Sequence, residues 1–289
     1  MITDENNLFA RLKKYDIRPI KSLGQNFLID KNVITKIIES ADITKNDLVI
    51  EIGPGAGGLT EILAGKAGAF AAIEIDRHMI PLLEEILSEY KNTMLINKDV
   101  LEVNIDEEVL SKFPDYSSYK VVANLPYYIT TPIIMKFLES NKPPGQMTVM
   151  MQKEVADRLR AEPGNKEYGS LTVATGVFCD ISKIMDVSSN CFFPRPDVTS
   201  TVLKLQNKGK DILKGIDRNL FFSIVRACFS QRRKKMSNSV VNTAGLSLDR
   251  EQVESVLEGM GISRDIRAEK LSLEQFRFFS AEIERLLTD

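Results

Sequence analysis

The chain has 289 residues, of which 43% are hydrophobic and 27% are charged, and its formal net charge is −2. This length predicts a large domain with a full core and a smaller second domain, and the charge argues against a surface that is basic all over. No apolar run approaches the ~18 to 20 residues that span a bilayer, and the acidic first residues do not resemble a secretion signal, so we expect a cytoplasmic protein without a membrane segment.

Cysteine and histidine are too sparse to predict a metal centre. Cys179, Cys191 and Cys228 are far apart and lack CxxC spacing, and His78 is the only histidine. A disulfide framework or a zinc site needs several such residues at defined spacings. We therefore expect reduced cysteines and no bound metal.

Short apolar strands alternate with amphipathic helices over the first two hundred residues. This pattern is typical of an α/β fold with a Rossmann-like, doubly wound and mostly parallel sheet. Apolar residues at three- and four-residue spacing predict helices over 31–41, 58–67, 79–90 and 131–141. The predicted strands span residues 48–52, 69–75, 93–97, 119–124, 147–151, 181–187 and 199–205.

Beyond residue 206 the strand pattern ends and only helical periodicity continues. Helices are predicted over 219–230, 249–260 and 272–287, and Ser272 with Gln275 forms a capping-box pattern at the start of the last one. We expect one domain over residues 1–206 and a small all-helical domain over residues 207–289.

A glycine-rich turn follows the first predicted strand. Gly53, Gly55 and Gly58 fit G-x-G-x-x-G, which lets backbone approach a nucleotide at the carboxyl edge of a sheet. A nicotinamide dehydrogenase is one interpretation. Glu51, immediately before the turn, favours another, because its negative charge suits the cationic sulfonium of S-adenosylmethionine better than a pyrophosphate.

Acidic residues also end the next two strands. Glu74 and Asp76 follow the second strand, and Asp99 follows the third. Glu74 could accept hydrogen bonds from both ribose hydroxyls, and Asp99 could accept one from an adenine amino group. The ordered series of acids predicts a site for a cationic nucleoside.

The stretch "NLPYY", residues 124–128, follows the fourth strand. The side-chain oxygen of Asn124 and a backbone carbonyl held by Pro126 could accept both N–H groups of an adenine amine, which favours the pyramidal amine that attacks a methyl group. Tyr127 could stack on a flipped-out base. An ordinary Asn-Pro turn with aromatic core residues is the alternative interpretation of these residues.

Basic residues cluster in two stretches, near residues 11–36 and 218–235. The second contains Arg232, Arg233, Lys234 and Lys235, with no acidic residue between Arg218 and Leu248. A run of cations often only faces solvent, but the missing acids favour contact with nucleic-acid phosphates.

Eight motifs in order over about residues 20–260 resemble the KsgA family of ribosomal RNA adenine dimethyltransferases. They are "KSLGQNFLID", "VIEIGPGAGGLT", "AIEID", "NKDVL", "NLPYYITTPII", "QKEVADRL", "KEYGSLTV" and "FFPRPDVTSTVLKL".

The resemblance implies a class I S-adenosylmethionine methyltransferase domain with an N-terminal lid segment, followed by an RNA-binding helical domain. It also implies that Phe192 is the aromatic on the second face of the base, with Phe193 beside it as the alternative. The catalytic residues would be Asn124, Leu125, Pro126, Tyr127 and Phe192, and the donor contacts would be Gln25, Asn26, Leu28, Gly53, Gly55, Glu74, Asp99 and Asn124.

The expected reaction is N6,N6-dimethylation of two adjacent adenines near the 3′ end of small-subunit (16S) rRNA, by a monomer acting on an assembling 30S particle. A large-subunit (23S) adenine methyltransferase of the macrolide-resistance type shares the glycine and N-L-P-Y motifs. A non-catalytic ribosome-assembly factor is a further alternative. "KEYGSLTV" and the helical tail favour the small subunit over the first alternative, and the intact Asn124–Tyr127 loop argues against the second.

Overall fold

The computed structural model describes residues 5–231, 234–241 and 248–288, with side chains described from residue 8 onward. The chain forms two units, one of residues 1–156 with 181–207 and one of residues 157–180 with 208–289. The chain passes from the first unit to the second after residue 207, close to the domain boundary that was expected at residue 206. Residues 157–180 were expected in the first domain but pack in the helical unit, because Val173 and Val177 belong to its core.

A seven-stranded sheet organises the first unit, and its strands follow the predicted ones closely. Helices cover both faces of this sheet, so the side chains on both faces of its central strands are buried. These strands therefore appear in the sequence as continuous apolar runs. Two strands of two residues each were not predicted, since two residues are too short to show a periodicity. The strands are β1 Phe27–Leu28, β2 Leu48–Ile52, β3 Ala69–Glu74, β4 Thr93–Asn97, β5 Tyr119–Asn124, β6 Gln146–Gln152, β7 Cys179–Val187, β8 Phe192–Phe193 and β9 Ser200–Asn207.

The sheet order is β4-β3-β2-β5-β6-β9-β7, and β1 pairs with β8 in a separate two-stranded sheet. Strands β2 to β6 are mutually parallel, and β9 runs antiparallel to β6. The predicted Rossmann-like, mostly parallel sheet is confirmed. The strand order reverses at β2, which has β3 on one side and β5 on the other, and ligands bind at such a switch point in open α/β sheets.

Helices of the first unit pack on the sheet through apolar stripes. In α2, Val33, Ile34, Ile37 and Ile38 are buried, and the carboxylate of Asp30 caps the helix by accepting from the amides of Asn32 and Val33. All four helices predicted for this part of the chain begin and end within three residues of their expected bounds. The helices that lie in or begin in this unit are α1 Glu5–Lys14, α2 Lys31–Ser40, α3 Thr60–Lys66, α4 Ile80–Leu87, α5 Thr130–Leu138 and α6 Lys153–Leu159.

The second unit has a core of its own, which includes the fully buried Phe221, Phe276 and Phe279. The predicted capping box is present, because Ser272 Oγ accepts from the amide of Gln275 and Gln275 Oε1 accepts from the amide of Ser272. The helices of this unit are α7 Ser170–Phe178, α8 Arg218–Ser230, α9 Met236–Val241, α10 Arg250–Gly259 and α11 Leu273–Thr288.

Gly68, between α3 and β3, provides a test of the packing. A Cβ at this position would lie 2.0 Å from the carbonyl oxygen of Lys45 and 2.5 Å from the hydroxyl of Tyr116. Gly68→Ala is therefore expected to destabilise the unit by about 1–3 kcal/mol, because backbone must move. Gly65→Ala, within α3, is the control: its Cβ would meet Tyr90 at an ordinary 3.4 Å. Chemical denaturation of both variants checks this, and equal stabilities would contradict it.

Candidate functional site

A pocket lies at the carboxyl edge of the sheet, beside the switch point. Ten of the residues predicted for the site line it, although they come from segments far apart in the chain. This convergence follows from parallel strands, whose carboxyl ends meet at one edge. The ten are Gln25, Asn26, Leu28, Gly53, Gly55, Glu74, Asp99, Asn124, Leu125 and Pro126.

The glycine turn is held against the end of β3. Gly53 and Gly55 have φ angles of +63° and +54°, a left-handed conformation that glycine adopts without strain. The amide of Gly55 donates to Glu74 Oε2 at 3.0 Å, and the amide of Asp76 donates to Glu74 Oε1 at 2.8 Å. Burial raises the pKa of Glu74, and these two backbone donors oppose that rise by stabilising the carboxylate. Glu74 thus links the glycine turn to the pocket wall.

Glu51 lines the pocket but is 2% exposed. Its Oε2 accepts a hydrogen bond from the hydroxyl of Thr60 at 2.7 Å. Burial raises the pKa of Glu51 to about 8, and the neighbouring carboxylate of Glu74 adds to the rise. This raised pKa favours the protonated carboxyl at neutral pH, whereas the residue type alone had suggested a negative charge. A bound cation would favour its ionised form.

Replacing Glu51 with Gln should change how stability depends on pH. The folded chain keeps a proton up to about pH 8 that an unfolded chain loses near the ordinary pKa of 4.5. The contribution of this proton to the free energy of unfolding is fully present below the pKa of the unfolded chain. It falls as the pH rises toward 8, by at most ~1.4 kcal/mol per pH unit. The variant, which cannot ionise, should gain melting temperature relative to the parent chain between about pH 5 and 8. Glu39→Gln, exposed on α2, is the control; a pH-independent difference at position 51 would contradict the assignment.

Asp99 lies at the pocket beyond the end of β4. Its Oδ1 accepts from the amide of Leu101 at 2.9 Å, which orients the carboxylate. Its contact with an adenine amino group stays a prediction.

Asn124 ends β5, and its side chain is held by the backbone of Asn26, one of the predicted donor contacts. Its Nδ2 donates to the carbonyl oxygen of Asn26 at 2.9 Å, and its Oδ1 accepts no hydrogen bond from the described residues. The carbonyl of Pro126 accepts from the Thr130 hydroxyl at 2.9 Å. Leu125 also lines the pocket, and its carbonyl accepts none from the described residues, so this carbonyl and Asn124 Oδ1 are available to an amine.

The aromatic residues lie differently from the expectation. The hydroxyl of Tyr127 hydrogen-bonds Ser200 Oγ at 2.6 Å, and the ring is half-buried outside the pocket lining. Tyr128 lines the pocket instead and is 57% exposed. Stacking by Tyr127 on a base stays a prediction.

Phe192 is a core residue, which corrects its expected place at the pocket. It is 3% exposed and packs among apolar side chains of the core, which include Val187 and Val202. The pairing of β8 with β1 explains this, because successive side chains of a strand point to opposite faces. The next residue, Phe193, packs against the ring of Phe9 with the two centroids 4.7 Å apart.

Ile75 and Leu8 are among the pocket residues that the sequence analysis did not identify. Ile75 is 46% exposed directly after Glu74, and Leu8 of α1 also reaches the pocket. Ile75 was the last residue of a run that was predicted as a buried strand, so the sequence did not indicate that its side chain is exposed. Nothing in the sequence indicated that α1 returns to the sheet edge.

The predicted basic segment is described only in part. Arg232 and Arg233 lie outside the described residues. Lys234 is exposed, whereas Lys235 forms an ion pair with Asp265, so one of the four cations is partly neutralised.

Among the described residues, no group of three or more metal-binding side chains occurs. Within the same residues, no helix is both long enough and apolar enough to cross a bilayer.

Comparisons with known proteins agree with this geometry. Residues 18–284 match the family described as ribosomal RNA adenine dimethylase. The chain is 47% identical over 274 residues to "Ribosomal RNA small subunit methyltransferase A" of Lachnoclostridium phytofermentans, which covers 94% of each chain.

Two solved structures are similar over 90% of this chain. A dimethyladenosine transferase from Plasmodium falciparum has a TM-score of 0.76 and 26% identity, with 98% of its own chain covered. The 23S rRNA methyltransferase ErmE has a TM-score of 0.69 and 27% identity, with its whole chain covered.

Proposed function

Because the chain belongs to the ribosomal RNA adenine dimethylase family, we propose that it transfers methyl groups from S-adenosylmethionine to N6 of two adjacent adenines. The adenines lie near the 3′ end of small-subunit rRNA, and the product is N6,N6-dimethyladenosine. One observation carries the choice of subunit: identity to a small-subunit enzyme is 47%, against 27% to the 23S enzyme, at similar coverage of the chain. The large-subunit alternative is therefore disfavoured.

The pocket residues fit S-adenosylmethionine, whose sulfonium supplies an electrophilic methyl group. Glu74, already anchored by two backbone amides, accepts from the ribose hydroxyls, and Asp99 accepts from the adenine amino group. Gly53 and Gly55 let backbone approach the donor closely. Glu51, held by Thr60, lines the pocket with a carboxyl whose ionised form a bound cation would stabilise.

Asn124 and Leu125 act on the target base. Asn124 Oδ1 and the Leu125 carbonyl accept hydrogen bonds from the adenine amine as it becomes pyramidal, which localises its lone pair for attack. In an in-line displacement, the bond from N6 to the methyl carbon forms as the sulfur–methyl bond breaks, S-adenosylhomocysteine leaves, and the methylated nitrogen loses a proton to solvent. This step needs no covalent intermediate and no metal, so positioning of the two substrates provides most of the rate. Tyr127, whose hydroxyl is held by Ser200, stacks on the flipped base.

The partner is the rRNA of a small-subunit particle during assembly, and the protein acts on it as a monomer in the cytoplasm. The four cations Arg232–Lys235 contact rRNA phosphates, which fits a recognition of RNA by backbone and shape.

Mass spectrometry of nuclease-digested rRNA, from cells with and without the gene, tests the proposal. Two adjacent N6,N6-dimethyladenosines should disappear from small-subunit rRNA when the gene is absent. Monomethyladenosine alone, or a change confined to large-subunit rRNA, would refute it. Transfer of tritium from labelled donor separates the enzyme from a non-catalytic assembly factor, and thermal shifts with NADH and with S-adenosylmethionine separate it from a dehydrogenase.

Neutralising the basic segment should weaken binding to the ribosomal particle by about tenfold at moderate salt. When a variant with Gln at 232, 233, 234 and 235 binds, fewer counterions are released from the RNA. The affinity for the particle should therefore depend less steeply on salt, while the affinity for the donor stays unchanged. The control carries the same loss of charge at four exposed lysines of the first unit, Lys66, Lys91, Lys112 and Lys142. An identical salt slope for both variants would mean that the segment only faces solvent.

A further inference from the structure

We infer that Gln25 is a positioning residue for Asn124, which it orients through the backbone of Asn26. The inference rests on the proposed function, because it concerns the residue that activates the target amine. It assigns to Gln25 a different role from a direct donor contact.

Both polar groups of the Gln25 side chain are bound by the protein itself. Its Nε2 donates to Asp76 Oδ2 at 2.8 Å, and its Oε1 accepts from the amide of Ile20 at 2.7 Å. Asp76 is 4% exposed, so this hydrogen bond to a carboxylate is shielded from water. Asp76 is fixed in turn, because its backbone amide donates to Glu74. Gln25 therefore ties its own segment to the end of β3.

The neighbouring residue holds Asn124. The Asn26 carbonyl accepts from Asn124 Nδ2 at 2.9 Å, across 98 positions of the chain. The other side of this segment borders the loop of residues 124–128: a Cβ at Gly24 would lie 3.5 Å from the ring of Tyr128 and 3.8 Å from Pro126 Cβ. The position of the Asn26 carbonyl is thus set on one side by Gln25 and on the other by the loop.

The orientation of the Asn124 amide decides whether it can act. Its two ends differ only in that one donates and the other accepts, and a half-turn would direct the NH₂ group at the incoming amine. A carbonyl oxygen can accept a hydrogen bond from the NH₂ end of the Asn124 amide but not from its oxygen. The Asn26 carbonyl therefore selects the orientation in which Asn124 Oδ1 is left for the substrate. Moving this carbonyl by about 1 Å removes that selection, and such misplacement is costly to catalysis.

Gln25→Leu removes both side-chain hydrogen bonds at similar volume. We expect a ten- to thirtyfold lower single-turnover rate at saturating donor and RNA, with a smaller change in donor affinity. Gln206→Leu makes the same substitution on β9, where pairing with Gln146 places it at the opposite edge of the sheet. This control should methylate at the parent rate. A loss that appears only in donor affinity would overturn the inference and make Gln25 a donor contact.

A double-mutant cycle tests the path through Asn124. Gln25→Leu should cause no further loss of rate in an Asn124→Ala background, since the group that it positions is gone. A further loss there, including loss to background, would overturn the inference while leaving the proposed function intact. Parent-like methylation by Asn124→Ala alone would instead refute the proposed mechanism together with this inference.

A charge exchange separates positioning from general damage to the fold. Gln25→Glu places a second carboxylate against Asp76 and should lower the rate. Adding Asp76→Asn restores a donor and acceptor pair, because the carboxylate introduced at position 25 can still accept from the amide of Ile20 and also from the new side-chain amide. The double variant should recover at least half of the lost factor in single turnover. Absence of recovery, with unchanged melting temperature, would overturn the inference.

Discussion

Asn124→Ala should lower the single-turnover methylation rate at saturating donor by about a hundred- to a thousandfold, with a much smaller effect on RNA binding. Asn124 Oδ1 accepts no hydrogen bond from the described residues, and its amide is held by the Asn26 carbonyl, so it is preorganised for the target amine. A group of this kind contributes most in the transition state, and loss of one such group costs ~2.7–4 kcal/mol.

The experiment must separate chemistry from binding, since Asn124 also lines the donor pocket. Rates are measured in single turnover after donor and RNA affinities have been determined for each variant. Asn141→Ala, at an exposed position beyond α5, serves as the matched control and should behave as the parent chain. Parent-like turnover by Asn124→Ala would make the residue a structural turn former.

Glu74→Ala should weaken donor binding by about 10- to 150-fold, or ~1.5–3 kcal/mol, because buried ribose hydroxyls would lose a charged acceptor. Part of this loss comes from the protein itself. The Glu74 carboxylate also accepts from the amides of Gly55 and Asp76, so its removal frees the glycine turn as well.

Calorimetry with S-adenosylmethionine checks the expected loss, and Glu74→Gln refines it. The glutamine keeps one acceptor oxygen but offers an NH₂ group to one of the two backbone amides, so its affinity should fall between that of the parent chain and that of the alanine variant. Glu139→Ala, exposed at the end of α5, is the control. Unchanged donor affinity in Glu74→Ala would remove the ribose assignment.

The strands of the large sheet could be predicted because each is a short apolar run between turn residues. β2, β4 and β5 have the bounds that the sequence predicted. Gly53, Asp99 and Asn124 lie at or just after the carboxyl ends of these strands. Because the strands were predicted to be parallel, these residues were expected at one edge of the sheet. The domain boundary was harder to predict from the sequence. Ser170–Phe178 is as apolar as a helix that covers a sheet, and only the structure shows that it packs in the helical core.

The sequence by itself determined the α/β class, the edge of the sheet that carries the pocket, and ten of the residues that line it. Periodicity and strand ends are local properties, and a single chain displays them directly. The tertiary structure decided which partners these residues have. It buried Phe192 in the core and left Phe193 partly buried against Phe9. It also brought Asp265 to Lys235 across 30 positions and joined Gln25 to Asp76 across 51.

The protonation of Glu51 also depends on the fold. Its charge was inferred from the residue type, but the pKa of a carboxyl depends on how much water and which charges surround it. Glu51 is deeply buried beside Thr60 and near Glu74, and that environment raises its pKa to about 8. Burial and contacts between distant segments arise only when the chain packs, which is why sequence patterns located the site but could not give its charge or its internal hydrogen bonds.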